Sequence, residues 1–397
     1  MNVEVANSTV ENVVGMYSLP LGLALNFCVN GTDRIVPMVV EEPSVIAAAS
    51  NAARLVRQAG GFTAQMLGTL MTGQIELRAV DDPAKSIAAL TAARSELIDA
   101  GNAAVPNLVR RGGGVRELEL RNLGDGHLVV HFLMDCRDAM GANLINTVAE
   151  TLGAQVAKIA NARLGLRILT NLCDQRRVIA SCRIAIADLA DSKAAGDASA
   201  ARDSGLAVAV AIEEASHFAD IDPYRAATHN KGIMNGIDSV VIATGNDFRA
   251  VEAGAHAWAA RTGRYTSLAQ WRVQGDVLSG VLELPLSLGT VGGTIRVHPV
   301  AQWGLKLLGV TSASELSEIA ACVGLASNFS ALRALATEGI QRGHMSLQAR
   351  SVALAAGAEP AEVDIIASKI ATTGTINESA ARAFLDELRS EKKERKR

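Results

Sequence analysis

The sequence is poor in aromatic side chains and carries little net charge. Phenylalanine, tryptophan and tyrosine make up 3% of its 397 residues, and the formal net charge at pH 7 is -3. A protein that binds nucleic acid generally needs a basic surface, and single-strand binders add aromatic side chains on which bases stack. Because both features are missing, the sequence argues against nucleic acid as a partner.

Cysteines are few and widely separated. The five cysteines are odd in number and form no Cys-x-x-Cys pair: Cys28, Cys136, Cys173, Cys182 and Cys322. This pattern indicates reduced core thiols, and it provides neither a disulfide framework nor a cysteine site for zinc or redox chemistry. We therefore expect no bound metal.

Long apolar runs are also missing, since none approaches the roughly 18 residues of a membrane span. Residues 1–9 are polar and contain no hydrophobic signal core. A hydrophobic content of 49% with 20% charged residues is ordinary for a globular chain. The sequence predicts a cytoplasmic protein of two or three domains with no membrane partner.

Polar and ionisable residues are concentrated in residues 224–247, between glycine-rich turns. The short β-branched run from Ser239 to Ala243 predicts a buried strand, with Lys231 just before it and Asp247 just after it. Both side chains could then face one cleft. The alternative is that Asp247 only caps the helix beginning at Phe248 and that Lys231 is a solvated loop lysine.

Towards the N-terminus, apolar stretches at 19–29 and 35–40 predict two strands around the turn Asn30-Gly31. An alanine-rich helix follows, with Pro43 at its first position and Gly60-Gly61 at its end. Glu42 thus lies at a helix N-terminus. There it could simply complement the helix dipole, and it would need burial to act as an acid near neutral pH.

Residues 69–174 alternate between strand-like and helical segments, which indicates a compact α+β insert. The insert contains Arg110-Arg111-Gly112-Gly113-Gly114 and the motif 138–143, in which Asp138, Met140, Gly141 and Asn143 lead from a strand into a helix. Free N–H groups at that helix start could bind phosphate. Glycine clusters are also often plain turns, so both interpretations stay open.

Near the C-terminus, His344 is flanked by Gly339 and Gly343 and precedes short helical segments. Such a glycine-bracketed unit could move as a lid.

Six motifs stand in the family's order and resemble the class II 3-hydroxy-3-methylglutaryl-CoA (HMG-CoA) reductases of bacteria. They are Glu-Asn-Val-Val-Gly at 11–15, Glu-Glu-Pro-Ser at 41–44, Asp-Ala-Met-Gly-Ala-Asn at 138–143, Thr-His-Asn-Lys-Gly at 228–232, Ala-Thr-Gly-Asn-Asp at 243–247 and Gly-His-Met at 343–345. The resemblance implies a mixed α+β and α/β multidomain fold. Its large acyl-CoA domain would span residues 1–68 and 175–338, with an inserted ferredoxin-like nucleotide domain at 69–174 and a helical flap at 339–397.

The resemblance also assigns roles to individual residues. It implies the catalytic set Glu42, Lys231, Asp247 and His344, and the substrate-binding set Ser44, Arg225, Asn235 and Asn171. It further implies HMG-CoA, mevalonate and coenzyme A as ligands, NADPH or NADH as cofactor, and a homodimer or a larger assembly of dimers with active sites between subunits.

Cofactor choice is predicted from residues 102–114. NADH-specific relatives have an aspartate facing the adenine ribose, which would repel a 2'-phosphate. Val105 stands at that position, and Arg110 or Arg111 could reach the phosphate, so NADPH is favoured; alternatively, both arginines are ordinary surface charges. Two other functions remain possible, namely mevalonate oxidation by the same catalyst and a non-catalytic acyl-CoA-binding or nucleotide-binding relative.

Overall fold

The computed structural model describes residues 3–190, 197–337 and 349–394. Its helices begin with α1 (Val3–Asn7), α2 (Val45–Gln58), α3 (Pro83–Ala92), α4 (Arg94–Ala104), α5 (Pro106–Val109) and α6 (Ala142–Ala160). They continue with α7 (Ala198–Ile221), α8 (Pro223–Ala243), α9 (Phe248–Ala259), α10 (Pro299–Leu308), α11 (Ala313–Ala336), α12 (Pro360–Thr373) and α13 (Glu378–Glu394). Short 3-10 turns occupy Ile186–Leu189 and Gly293–Arg296.

The strands are β1 (Leu21–Val29), β2 (Thr32–Val39), β3 (Thr63–Met66), β4 (Leu70–Arg78), β5 (Gly114–Gly124), β6 (His127–Asp135), β7 (Arg163–Leu169), β8 (Arg177–Ala185), β9 (Ala269–Gln274) and β10 (Val277–Pro285). β1 and β2 form the expected hairpin, with Val29 opposite Thr32. The helix expected after it begins at Val45 with Ser44 at the N-cap, so Pro43 precedes the helix.

A first hydrophobic core joins the four-stranded sheet β3-β8-β10-β9 to helices α2, α7, α8 and α11. Helix α11 is at its centre. Its length and composition would suit a membrane span, with a mean hydropathy of 1.5, and the sequence analysis overlooked this run. Since 67% of its most apolar window is buried inside the protein, α11 is a core helix.

A second core is formed by residues between Met71 and Cys173. Its antiparallel sheet has the order β5-β6-β4-β7, and the helices α3 to α6 are connected to it in the sequence β-α-β-β-α-β. This arrangement is a ferredoxin-like split βαβ fold, as expected. Its entry and exit strands run side by side, because Leu70 N donates a hydrogen bond to Gln175 O at 3.1 Å.

A third, smaller core lies between Ala349 and Leu385, among the helical residues 349–355, α12 and α13.

Helix α8 contradicts the predicted strand at Ser239–Ala243, since those residues are its last turn. Asp222 at the N-cap and Pro223 at the first position start the helix, and the apolar residues Ile233, Ile237 and Val240 are buried at helical spacing. The five-residue apolar run was too short to distinguish strand from helix.

Glycines allow α8 and α11 to pack closely. A Cβ added at Gly236 would lie 2.7 Å from Val323 O, whereas the nearest atom to a Cβ at Gly232 would be Ala331 Cβ at 4.0 Å. The two glycines are about one turn apart on the same helix, but only Gly236 is needed for the close approach.

We therefore expect Gly236→Ala to lower the free energy of unfolding by roughly 1–3 kcal/mol through overpacking. Gly232→Ala is the matched control and should be neutral or stabilising by up to about 1 kcal/mol, because it restricts the unfolded chain. Urea unfolding followed by tryptophan fluorescence measures both. Equal effects of the two substitutions would contradict the role assigned to Gly236.

Candidate active site

Helices α2, α8 and α11 enclose a cavity of about 510 Å³, which we call the three-helix cavity. Its polar lining includes Glu42, Ser44, Asn51, Arg225, Thr228, His229, Lys231, Asn235, Ser327, Asn328 and Ser330. Five residues proposed from the sequence, Glu42, Ser44, Arg225, Lys231 and Asn235, are thus brought together. Three of the others, Ser327, Asn328 and Ser330, come from the facing side of α11, which was not assigned to the site from the sequence.

Glu42 and Lys231 form the central ion pair of this cavity. Lys231 Nζ lies 2.6 Å from Glu42 Oε2, and Asn235 Nδ2 donates to the same oxygen at 3.3 Å. Lys231 and Asn235 are one turn apart on α8, so the helix delivers both to one carboxylate. The Lys231 side chain is 62% exposed. The pair is therefore open to solvent and accessible to a ligand.

Ser44 and Arg225 border the same cavity at other points. Ser44 adopts a left-handed backbone conformation with φ of 77°, and its buried hydroxyl has no hydrogen-bond partner among the described residues. Burial lowers the pKa of Arg225, which remains a cation. A free hydroxyl and a half-buried guanidinium suit an oxygen-rich or anionic ligand.

His229 is held in one neutral tautomer by a chain of buried side chains. Trp271 Nε1 donates to Asn328 Oδ1 at 2.8 Å, so the amide nitrogen of Asn328 faces His229 Nε2 at 3.1 Å. That nitrogen must accept, which leaves the proton on Nδ1. Burial and the nearby Arg225 lower the pKa of His229 to about 4. The wall of the cavity is thus uncharged at this point.

Asp247 does not contact Glu42 or Lys231. Its carboxylate accepts hydrogen bonds from Arg249 N at 3.0 Å and Ala250 N at 3.3 Å, and it pairs with the Arg249 guanidinium at 3.2 Å. It therefore caps α9, which is the alternative that the sequence left open. Asp247 also borders a cavity of about 680 Å³ that reaches Asn235, so the two sites share a wall.

A third cavity, of about 360 Å³, is formed where the second core meets the first, and we call it the glycine-loop cavity. It is lined by residues 139–144, 245–247, 289 and 291–295. Met140, Gly141 and Asn143 are thus brought next to Asp247. Gly141 is the N-cap of the 19-residue helix α6, with φ of 106° and no side-chain cap, which suits an approaching phosphate.

Two other residues proposed for the cofactor, Asp138 and Val105, differ from expectation. The carboxylate of Asp138 accepts a hydrogen bond from Ala313 N at 2.9 Å and so caps α11. Val105 is 5% exposed and packs in the second core, so its side chain does not face a ligand. Arg110 and Arg111 are exposed, and Arg110 donates to Asn107. Their turn adjoins the end of β6, because Gly114 pairs with Asp135.

Two further residues lie apart from these cavities. Asn171 is exposed after β7, and its carbonyl oxygen would be 2.7 Å from a Cβ added at Gly254. It borders neither the three-helix cavity nor the glycine-loop cavity. His344 lies outside the described residues, together with Gly339 and Gly343.

A chain of ionisable groups, which no sequence motif indicated, lies behind α8. Asp238 is hydrogen-bonded to Glu252, Glu252 lies 2.5 Å from His256 Nε2, and His256 Nδ1 lies 2.6 Å from the hydroxyl of Tyr265. Burial and the neighbouring Glu252 raise the pKa of Asp238. Asp238 also lines the cavity of about 680 Å³. In the described part of the chain, no cluster of three His, Cys, Asp or Glu side chains could hold a metal ion.

Comparison with known proteins identifies close relatives of the chain. The family model described as hydroxymethylglutaryl-coenzyme A reductase matches residues 1–349. The 3-hydroxy-3-methylglutaryl-coenzyme A reductase of Archaeoglobus fulgidus is 45% identical over 98% of this chain and 86% of its own length. A probable reductase of the same name from Borreliella burgdorferi is 35% identical over 86% of this chain and 77% of its own.

Solved structures give the same result. The class II 3-hydroxy-3-methylglutaryl-CoA reductase from Streptococcus pneumoniae, bound to NADPH in open conformations, has a TM-score of 0.81 at 44% identity, covering 98% of this chain and 93% of that one. A second structure of the Streptococcus pneumoniae reductase has a TM-score of 0.82 at 44% identity, with 98% and 91% covered. The expected mixed α/β multidomain fold is confirmed.

The low pKa of His229 predicts an acid-dependent loss of stability. Between pH 6.5 and pH 4 the unfolded chain binds a proton at this histidine and the folded chain does not, so stability falls as the pH falls through that window. The loss should reach roughly 3 kcal/mol near pH 4. In His229→Gln this part of the pH dependence should disappear, as measured by urea midpoints from pH 7 to pH 4.5. His217→Gln, at an exposed histidine, is the control and should keep the wild-type dependence of stability on pH. A His229→Gln variant that also kept the wild-type pH dependence would contradict the role assigned to His229.

Proposed function

The chain belongs to the hydroxymethylglutaryl-coenzyme A reductase family, and on that premise we propose that it interconverts HMG-CoA with mevalonate and coenzyme A, as an oxidoreductase of the mevalonate pathway. The observation that supports this most directly is the Glu42–Lys231 pair, with 2.6 Å between Nζ and Oε2, on the wall of a cavity lined by Ser44, Arg225 and Asn235. The family membership also bears out the resemblance on which the sequence analysis relied.

Lys231 is proposed to stabilise negative charge on the substrate oxygen. Reduction of a thioester to an alcohol takes two hydride additions, and each of them develops charge on that oxygen. A positioned ammonium stabilises such charge best where water is excluded. Glu42, which also accepts a hydrogen bond from Asn235, holds Lys231 on one side of the cavity and leaves its exposed side free to meet the substrate.

Glu42 is proposed as the proton donor for the aldehyde step, since its carboxyl group already contacts the ammonium that faces the substrate. Asp247 would tune both groups, and to do so it has to exchange its contacts with Arg249 and the α9 backbone for contacts with the substrate cavity. The shared wall at Asn235 supports this assignment.

His344 is proposed to protonate the departing coenzyme A thiolate. A thiolate with a pKa near ~8.5 and a histidine near ~6.5 are well matched for this transfer at neutral pH. We propose that residues 339–397 form the flap that carries this histidine. Residues 1–68 and 175–338 would bind the acyl-CoA, with Asn171 contributing from the edge of the insert.

The cofactor is proposed to be NADPH, bound by the insert at residues 69–174. The relative from Streptococcus pneumoniae is bound to NADPH, and the uncapped start of α6 at Gly141 offers N–H groups for a phosphate. When bound, the nicotinamide would supply the hydride. Met140, Gly141 and Asn143 would hold the dinucleotide beside Asp247, while Asp138 would keep the loop attached to α11. Arg110 and Arg111 would face the 2'-phosphate.

We also propose a soluble, cytoplasmic homodimer or a larger assembly of dimers. The hairpin and the segment before it expose several large apolar side chains: Val14, Met16, Tyr17, Leu21, Leu23 and Leu25. Exposed apolar side chains of this kind favour contact with a second copy. A partner there would also exclude water from the neighbouring site.

The direct test is a spectrophotometric assay of nicotinamide oxidation with HMG-CoA, run with NADPH and with NADH. In this assay we expect Lys231→Ala to lose at least ~10²-fold in kcat, the scale of removing one oxyanion donor. The loss should be as large with mevaldehyde, because both hydride steps need the same cation. Lys306→Ala, at an exposed lysine of α10, should keep wild-type activity. Near-normal reduction of mevaldehyde by Lys231→Ala would assign the charge stabilisation to another group.

The arginine turn predicts a preference for NADPH. One charge-assisted contact to the 2'-phosphate is worth roughly 1.5–3 kcal/mol, or about tenfold or more in KM. Arg110→Ala or Arg111→Ala should reduce the NADPH preference and leave the KM for NADH unchanged. Arg163→Ala is the control, since Arg163 begins β7 at the opposite edge of the sheet. Because Val105 is buried, Val105→Asp would destabilise the core and cannot report on the cofactor. A wild type that prefers NADH would refute the assignment.

A further inference from the structure

Arg176 is a buried cation at the junction of the two larger cores. It lies in the short connection between β7 and β8, and it is 3% exposed. Burial lowers its pKa, but a guanidinium keeps its proton in proteins. Neither the family resemblance nor the proposed catalytic set uses this residue.

The contacts that satisfy Arg176 come from two separate segments. Nη1 donates to Ala139 O at 3.1 Å and to Met140 O at 3.3 Å, while Nη2 donates to Leu288 O at 2.6 Å. The first two carbonyls belong to the loop before α6, and the third belongs to the segment after β10. A single planar group therefore links two walls of the glycine-loop cavity.

The segment after β10 that contains Leu288 is also hydrogen-bonded, on its other side, to the loop that ends in Asp247. Asn246 Oδ1 accepts from Gly289 N at 2.8 Å, and Asn246 Nδ2 donates to Gly289 O at 3.1 Å. Thr290 N also donates to Asp138 O at 2.9 Å. The residues from 288 to 290 thus lie between the 138–143 loop and the loop that ends in Asp247. The position of the first loop relative to Asp247 depends on these contacts.

Electrostatics make the link at Arg176 strong. A buried charge is tolerated only when hydrogen bonds replace its lost water, and removing some of them leaves the charge uncompensated. If the 138–143 loop moved away from Leu288, Arg176 would lose carbonyls on one side and remain buried. The two walls are therefore held together or released together. The cation also lies directly behind a loop proposed to bind an anionic dinucleotide.

We propose that Arg176 is a positioning residue for the cofactor: it locks the 138–143 loop to Leu288 and thereby sets the affinity for the nicotinamide dinucleotide and its placement beside Asp247. The proposal rests on the cofactor role proposed for that loop. It goes beyond that role by assigning cofactor affinity to a side chain that does not itself line the cavity.

Arg176→Lys is the appropriate variant, because it keeps the charge and loses the planar fork that spans both segments. In the full-length, unliganded chain, amide hydrogen exchange should rise at 138–144 and 286–295 and stay unchanged around α2 and α8. The Kd for NADPH, measured by titration calorimetry, should rise at least about tenfold, the scale of one hydrogen bond to a charged group. The Kd for HMG-CoA should remain within about twofold.

Arg34→Lys is the matched control. Arg34 is partly buried, with 13% of its side chain exposed and an ion pair to Glu315. Its Nη1 donates to two backbone carbonyls, Leu308 O at 2.6 Å and Gly309 O at 3.1 Å, but it lies beside a different cavity. It should leave the Kd for NADPH unchanged. Gly289→Ala is a second variant in case Arg176→Lys does not fold. Its Cβ would lie 2.7 Å from Met140 N, so it should separate the same walls and weaken NADPH selectively.

Three results would overturn the proposal. The first is unchanged amide exchange and unchanged NADPH affinity in a folded Arg176→Lys protein. The second is increased exchange throughout that variant with equal weakening of NADPH and HMG-CoA binding, and the third is the same loss of NADPH affinity in Arg34→Lys. The first would show that the lock is dispensable, and the other two would show a general loss of stability. Failure of the proposed function would give a different result, which is seen before any variant is made: the wild-type chain would bind neither NADPH nor HMG-CoA.

Discussion

The close approach of α8 and α11 is the constraint on which the three-helix cavity depends. A Cβ at Gly236 would meet Val323 O at 2.7 Å, and a Cβ at Gly324 would meet Ile237 Cγ1 at 2.7 Å, so each helix contributes a glycine to the contact. The short distance brings Ser327 Oγ within 2.9 Å of Gly232 O and Asn328 against His229. With α11 fixed in this way, α8 presents Lys231 and Asn235 to Glu42 from a rigid element. The geometry of the site thus follows from backbone packing.

The distribution of charge at the site follows from burial. Burial keeps the imidazole of His229 neutral and raises the pKa of the Asp238 carboxyl group, while Lys231 stays largely exposed and paired. Buried groups with a fixed protonation state provide shape and hydrogen bonds, and the exposed pair is the part that can respond to a ligand. Strong stabilisation of a developing oxyanion requires water to be excluded from Lys231. Closure by the proposed flap or by the proposed second subunit would meet that requirement.

Local patterns in the sequence predicted the β1–β2 hairpin and the alternation of strands and helices in the insert, because residue periodicity and turn residues act over a few positions. The same local patterns gave a wrong prediction at the end of α8, since Ser239–Ala243 considered alone resembles a buried strand. Residues 83–100 show one continuous helical pattern in the sequence, whereas the structure forms two helices there, α3 and α4. Contacts between distant positions had no local signal: Glu42 and Lys231 are 189 positions apart and were paired only through the resemblance. Arg176 stands in a polar run, Asp174-Gln175-Arg176-Arg177, that resembles ordinary surface charge.

The adjacent entry and exit of the ferredoxin-like insert have a consequence for biosynthesis. Strand β3 pairs only with β8 in its sheet, and the ribosome adds the whole insert between these two strands. During synthesis β3 therefore has no β8 to pair with until the insert, which has a complete core of its own, has emerged. Once the insert has folded, Leu70 and Gln175 are held side by side, which removes most of the entropic cost of closing a loop of that length. Folding of the insert thus favours the pairing of β3 with β8. Mutations that unfold the insert should therefore delay the folding of the larger domain as well.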